Sequence, residues 1–354
     1  MAGETDPVLQ VVELGRVWAT LDPFLFCVHH DDDYPPGDDE LGPCEPLVGR
    51  SIGMDFSGRD GWSMYHGSLV PGFPQHPHRG FETISLMRNG LMDHSDSLGA
   101  AARFGRGDVQ WMTAGSGIVH AEMFPLLNDA TRNPLELFQI WINLPRQDKM
   151  VDPHFAMLWD HEIPKFTALD AAGRPTNVTV LAGTLQGQRP PNPPPHSWAS
   201  RPDADVAIWH VSMAPDATWT LPPATGPDTM RTVYVFGGGA VAMAGLDIGA
   251  GGGTEVARGH GAVVRCDVPV TLTDRGDGVE LLVLQGRPIG EPVAQYGPFV
   301  MNDQAGIRQA YEDYQRTEFG GWPWKAADPN HGTDLRRFAR HADGRVEELA
   351  LVTP

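Results

Sequence analysis

Two short strings hold the side chains best suited to chemistry: His76-Pro77-His78-Arg79-Gly80-Phe81-Glu82 and Gly115-Ser116-Gly117-Ile118-Val119-His120-Ala121-Glu122. In an extended strand, side chains two apart point to the same face. His76 and His78 are therefore co-facial, and so are His120 and Glu122. Two such strands facing one another inside a barrel bring three imidazoles and one carboxylate to a point. That donor set suits a divalent ion: iron, manganese, cobalt, nickel, copper or zinc. Four ionisable groups on one inner face would be costly to bury without partners, and a bound metal accounts for all four. On an octahedral ion such a set leaves two open cis positions, as a redox metal handling dioxygen and a substrate requires. Tetrahedral zinc would be filled by the same four ligands. Glu82 shares strand parity with the first two histidines, so the residues alone leave Glu82 and Glu122 open as the carboxylate. Gly80 offers a kink that would turn Glu82 aside, where it could orient an imidazole instead. His94 and Asp96 also share a face. Turn-building is the expected role of this pair, with a place at the cavity mouth as the alternative.

The elements that must position these groups are β-strands. Phe81–Met87 is β-prone and ends at Asn89-Gly90, a turn pair. Strands are also expected at Val8–Val12, Phe24–Val28, Trp62–Val70, Val109–Thr113 and Glu136–Leu144, with a short one at Leu91 before a turn. His29-His30-Asp31-Asp32-Asp33 and the acidic, proline-rich stretch after it read as a solvated loop. Asp148–Phe166 reads as an irregular connection. A second series of strands follows at Val178–Gly183, Val206–Met213, Trp219–Leu221, Thr232–Phe236, Ala240–Met243, Ala262–Cys266 and Glu280–Leu284. Gly249–Gly253 has no helix after it and does not read as a phosphate-cradling loop. His210 and His260 stand alone and read as structural. One helix is expected over 303–319, capped by Asn302 or Asp303, with Ile307, Ala310, Tyr311 and Tyr314 as its apolar stripe. A hairpin about Asp343-Gly344 closes the chain.

Composition narrows the function classes. The 354 residues suffice for two domains with ample cores, and 41 glycines and 32 prolines among short strand patterns point to an all-β protein. No run of apolar residues is long enough to span a bilayer, and the first residues do not read as a secretory signal. Three widely spaced cysteines, Cys27, Cys44 and Cys266, suit reduced thiols in a cytoplasmic protein. A net charge of −19 would repel nucleic-acid phosphates and an anionic membrane surface, so neither is an expected direct partner.

Four runs, HPHRGFETIS, DHSDSLG, GDVQWMTAGSGIVHAE and GRPIGEPVAQYGPFVMN, occur in the order in which the pirins carry them. The chain resembles that family of the cupin superfamily across roughly residues 76 to 302. The resemblance implies two tandem cupin barrels (double-stranded β-helix, or jelly-roll) with a C-terminal helix. It divides the chain into a metal-binding N-terminal cupin at 1–150 and a C-terminal cupin at 151–354 without a metal site, the latter with the closing helix and tail. It places the proline-rich run 188–197 in a loop between strands of the second barrel. By the same resemblance the metal set is His76, His78, His120 and Glu122, the metal Fe(II), and Glu122 both ligand and catalytic base. The implied activity is a quercetin 2,3-dioxygenase type of flavonol ring opening that uses a phenolic substrate and dioxygen. The alternative is a non-enzymatic iron-binding regulator that binds a protein partner. A monomer is expected in either case.

Overall fold

The structure is a computed structural model and describes residues 6–226, 228–246 and 252–349. Alternating apolar and polar residues between glycine- and proline-bearing turns build strands almost throughout. In chain order the first ten are β1 (Val8–Glu13), β2 (Phe24–Tyr34), β3 (Gly72–His78), β4 (Phe81–Asn89), β5 (Leu91–Asp96), β6 (Ala101–Gly105), β7 (Val109–Thr113), β8 (Ile118–Met123), β9 (Asn133–Asn143) and β10 (His154–Leu158). The next ten are β11 (Lys165–Leu169), β12 (Pro175–Ala182), β13 (Ala207–Met213), β14 (Thr218–Leu221), β15 (Met230–Gly238), β16 (Ala240–Ala244), β17 (Thr254–Ala257), β18 (His260–Val264), β19 (Val270–Asp274) and β20 (Val279–Gly286). After these come β21 (Ala294–Tyr296), β22 (Phe299–Met301), the helix α1 (Gln304–Thr317), β23 (Phe338–Arg340) and β24 (Val346–Glu348).

The chain divides into two interleaved units. One comprises the residues up to Val28, Trp141–Asn143 and His161–Gly290; the other comprises His29–Ile140, Leu144–Asp160 and the residues from Glu291 on. The expected linear split at residue 150 thus exchanges its ends. β1 pairs with β18, which draws the N-terminus to the strands of the second half. β23 pairs with β6, which draws the tail to the strands of the first. The helix goes with the tail.

The unit that holds both chemical strings has a five-stranded sheet, β10-β7-β4-β9-β2, and a six-stranded sheet, β24-β23-β6-β5-β8-β3. Tyr34, Trp62, Phe104, Met112, Phe124 and Leu137 are among its buried core. Each such side chain contributes roughly 1.5–3 kcal/mol by leaving water. The other unit has sheets β1-β18-β15-β20-β13-β12-β11 and β14-β19-β16-β17 around a core that includes Trp209, Val211, Val233 and Leu281. His210 bonds Glu280 on the neighbouring strand of that unit, a satisfied structural histidine.

Several local expectations change. His29–Asp33 is not a solvated loop, because β2 runs on through it to Tyr34. His29 bonds Glu136, and His30 bonds the Tyr65 hydroxyl. Asp32 is buried, accepting from the Ser63 amide and the Tyr65 hydroxyl. Trp62–Val70 forms no strand, only isolated bridges at Tyr65. Asp148–Phe166 is not wholly irregular: β10 lies within it and pairs with β7. Asp303 caps α1 by accepting from the Gly306 amide. The tail forms its hairpin, β23 with β24. Part of Gly249–Gly253 lies outside the described residues. Among the described residues no helix is long and apolar enough to cross a membrane.

Candidate metal centre

The two strings become neighbouring antiparallel strands of one sheet, with His76 of β3 directly opposite His120 of β8. A register shift between Phe73 and His76 re-aims the end of β3. Ring centroids are 4.4 Å apart for His76 and His120, 4.8 Å for His76 and His78, and 5.0 Å for His78 and His120. One ligand atom from each of the three lies within 4.8 Å of the others. His76 Nδ1 faces the Pro74 carbonyl at 2.8 Å and His78 Nδ1 faces the Pro298 carbonyl at 3.4 Å. A carbonyl only accepts, so each Nδ1 carries the proton and each Nε2 keeps its lone pair. His120 is fully buried, and neither of its ring nitrogens has a hydrogen-bond partner. Burial holds the His76 pKa down at about 4 and drives those of His78 and His120 well below the usual imidazole range. Three neutral imidazoles, one of them buried with both nitrogens unsatisfied, fit a divalent cation.

The two candidate carboxylates part company. Glu122, next but one to His120 on β8, puts Oε2 3.9 Å from His120 Nε2. Its Oε1 accepts from the Ser85 hydroxyl at 2.9 Å, and Gln139 Nε2 reaches both carboxylate oxygens at 3.4 Å. Burial raises its pKa; His94, Ser85 and Gln139 work against that rise. Glu82 has crossed to the five-stranded sheet. β3 ends at His78, the chain reverses at Gly80 with φ +85°, and Glu82 emerges on β4. There its Oε1 accepts from the hydroxyl of Thr113, its cross-strand neighbour, at 2.6 Å. Because β3 and β4 lie in different sheets, the residue count from His78 across Gly80 carries no information about which face Glu82 shares.

Residues without a predicted role hold the turn that carries His78. Arg79 donates from Nε to the Ser116 carbonyl at 2.6 Å and from Nη1 to Asp313 of α1 at 2.8 Å. Its guanidinium lies 4.5 Å over the Phe319 ring. Lys149, buried, donates to the carbonyls of Gly80 at 2.8 Å and Val300 at 3.3 Å. Burial brings its pKa down to about 8. The Val300 amide donates to the Arg79 carbonyl at 3.0 Å. Gly80 is required here: a Cβ would lie 2.0 Å from the Val300 carbonyl oxygen. A single lysine and an aspartate 234 residues from Arg79 leave no local pattern, so sequence reading had no signal for them. His94 and Asp96 are both fully buried, the His94 ring 5.5 Å from that of His120.

A family profile described as Pirin matches residues 10–142, and one described as Pirin C-terminal cupin domain matches residues 208–320. The chain belongs to the pirin family. It is 37% identical over 249 residues to a Pseudomonas aeruginosa protein provisionally named quercetin 2,3-dioxygenase, covering 70% of this chain and 79% of that one. It is 34% identical over 280 residues to a pirin-like protein of Solanum lycopersicum, covering 76% and 85%. A crystal structure of a quercetin 2,3-dioxygenase from Acinetobacter baumannii superposes with a TM-score of 0.67 at 25% identity, covering 89% of this chain and 99% of that one. This pirin is thus a mostly β protein of two cupin barrels, with one α-helix among the described residues, near the C-terminus.

Proposed function

We propose that this pirin holds a divalent metal, Fe(II) by preference, through His76, His78, His120 and Glu122, and uses it to open the central ring of a flavonol such as quercetin with dioxygen. The observation that carries the metal reading is the convergence of three neutral imidazoles in which both nitrogens of buried His120 go unsatisfied. The likeness to proteins named for quercetin oxidation supports the substrate class. When bound, such an ion supplies Lewis acidity toward a phenolic oxygen and, if iron, a route for electrons between substrate and dioxygen.

The chain's own residues do the rest. Backbone carbonyls at Pro74 and Pro298 set the protons of His76 and His78 on Nδ1 and aim the opposite nitrogens inward. Ser85 and Gln139 hold the carboxylate of Glu122 beside His120. The carboxylate so held takes the proton of the flavonol 3-hydroxyl as general base. Both atoms of dioxygen enter the opened product, and one substrate carbon leaves as carbon monoxide.

The test is loss of quercetin absorbance with matching oxygen uptake by iron-loaded protein. Glu122→Gln should lower turnover by about a hundredfold or more, the usual contribution of a general base. An iron-loaded wild type that consumes neither quercetin nor oxygen refutes the flavonol reading and leaves the regulatory alternative. Nitric oxide is an independent check: a perturbed iron spectrum means the metal is open to small molecules, as catalysis requires, and an unchanged one favours the binding role.

A further inference from the structure

The pair His94 and Asp96 has no part in the function proposed above, yet the fold places it against the metal centre. β5 pairs with β8 so that His94 lies opposite Glu122 and Asp96 opposite His120. Both side chains therefore share the face of the metal ligands, and both are fully buried. Asp96 is fixed: its Oδ1 accepts from the amides of Leu98 at 2.9 Å and Ala100 at 3.0 Å. Its Oδ2 lies 3.4 Å from His94 Nε2. A carboxylate accepts, so the His94 proton resides on Nε2 and Nδ1 is left with a lone pair. That Nδ1 has no hydrogen-bond partner.

His120 presents the complementary lack. An imidazole that offers Nε2 to a metal carries its proton on Nδ1, and a buried N–H needs an acceptor. His76 and His78 have backbone carbonyls for this; His120 has none. The two ring centroids are 5.5 Å apart at a tilt of 57°, and neither Nδ1 is bonded in this structure, so contact between them requires one ring to turn as a metal draws His120 Nε2.

We infer that Asp96, His94 and His120 form a proton-ordered chain in which His94 is a positioning residue, accepting from His120 Nδ1–H and so turning His120 Nε2 toward the metal. This rests on the reading of His120 as a metal ligand. Once formed with the metal in place, the chain satisfies two buried nitrogens that have no partner in this structure and gives the DHSDSLG run a purpose beyond its turn. The backbone of β5 is held independently, by Trp324 at the Asp96 carbonyl and His331 at the His94 carbonyl, so side-chain replacements leave the strand in place.

Asp96→Asn tests the chain. Its Oδ1 still accepts from Leu98 and Ala100, but an amide N–H now faces His94 Nε2. The His94 proton moves to Nδ1, where it meets the N–H of His120. The expected result is a 10- to 100-fold loss of zinc affinity by calorimetry, with the melting temperature of the metal-free protein little changed. In zinc-loaded wild type, long-range proton–nitrogen correlation should find His94 protonated on Nε2 and His120 on Nδ1. Zinc affinity equal to wild type in Asp96→Asn, or a wild-type His94 protonated on Nδ1, overturns the chain alone. A wild type that binds no divalent ion overturns both the chain and the metal reading. Should Asp96→Asn fail to fold, the wild-type tautomers still decide.

Discussion

Acidification separates this centre from an ordinary three-histidine site. At pH 5, an imidazole with the usual pKa near 6.5 is protonated in all but about one molecule in thirty, so three of them cost roughly ten-thousandfold in metal affinity between pH 7 and 5. Here burial holds His76 at about 4 and drives the other two down as well, so protons compete for these nitrogens far less than for exposed imidazoles across that range. Glu122, whose pKa burial raises, is the one ligand left to compete with protons. One competing proton limits the loss to about tenfold per pH unit, or no more than about a hundredfold between pH 7 and 5. Calorimetric titration with Co(II) in buffers of different ionisation enthalpy measures both the affinity and the protons released, expected at one or fewer per ion. A loss beyond about a thousandfold in protein still folded by circular dichroism, or a release approaching three protons, would refute the reasoning. The metal-free protein carries the opposite face of the same effect. Folded-state pKa values below the unfolded ones mean that the unfolded chain takes up more protons between about 4 and 6.5. Stability that is complete above pH 6.5 is therefore lost as the pH falls through that window. For His76 the loss is at most about 3 kcal/mol, less whatever solvent at its partly exposed edge screens.

Lys149 should act in the alkaline range. Its folded pKa of about 8 lies below 10.5, so the unfolded chain binds more protons between those values, and stability rises with pH across them. The gain amounts to about 3 kcal/mol. Urea unfolding of metal-free protein at pH 7.5 and 10.5 should show it in wild type relative to Lys149→Met, and identical pH slopes in the two would contradict the assignment. Gly80→Ala puts a Cβ on the Val300 carbonyl at a φ that L-residues avoid, so a stability loss of about 2 kcal/mol or more is expected, together with weaker metal binding as the His78 turn shifts. Equal melting temperatures for this variant and wild type would show that the turn yields freely.

Much of the centre was legible in one dimension because strand geometry is local. Alternation alone placed His76 with His78 and His120 with Glu122, and the glycine-marked turns and strand-like runs announced an all-β chain with a late helix. What parity could not carry was anything beyond a turn that changes sheets. Glu82 keeps the right count from His78, but the chain reverses at Gly80 and Glu82 continues on a strand of the other sheet, where it accepts from Thr113. The acidic string after His29 reads as loop by composition, but burial of Asp32 and Tyr34 on alternate positions makes it strand. The clasp of Lys149, Arg79 and Asp313 and the burial of His94 behind His120 join residues far apart along the chain. Local alternation sets which side chains can share a face. Which faces meet depends on sheet pairing and on where distant segments close, and no local periodicity encodes either.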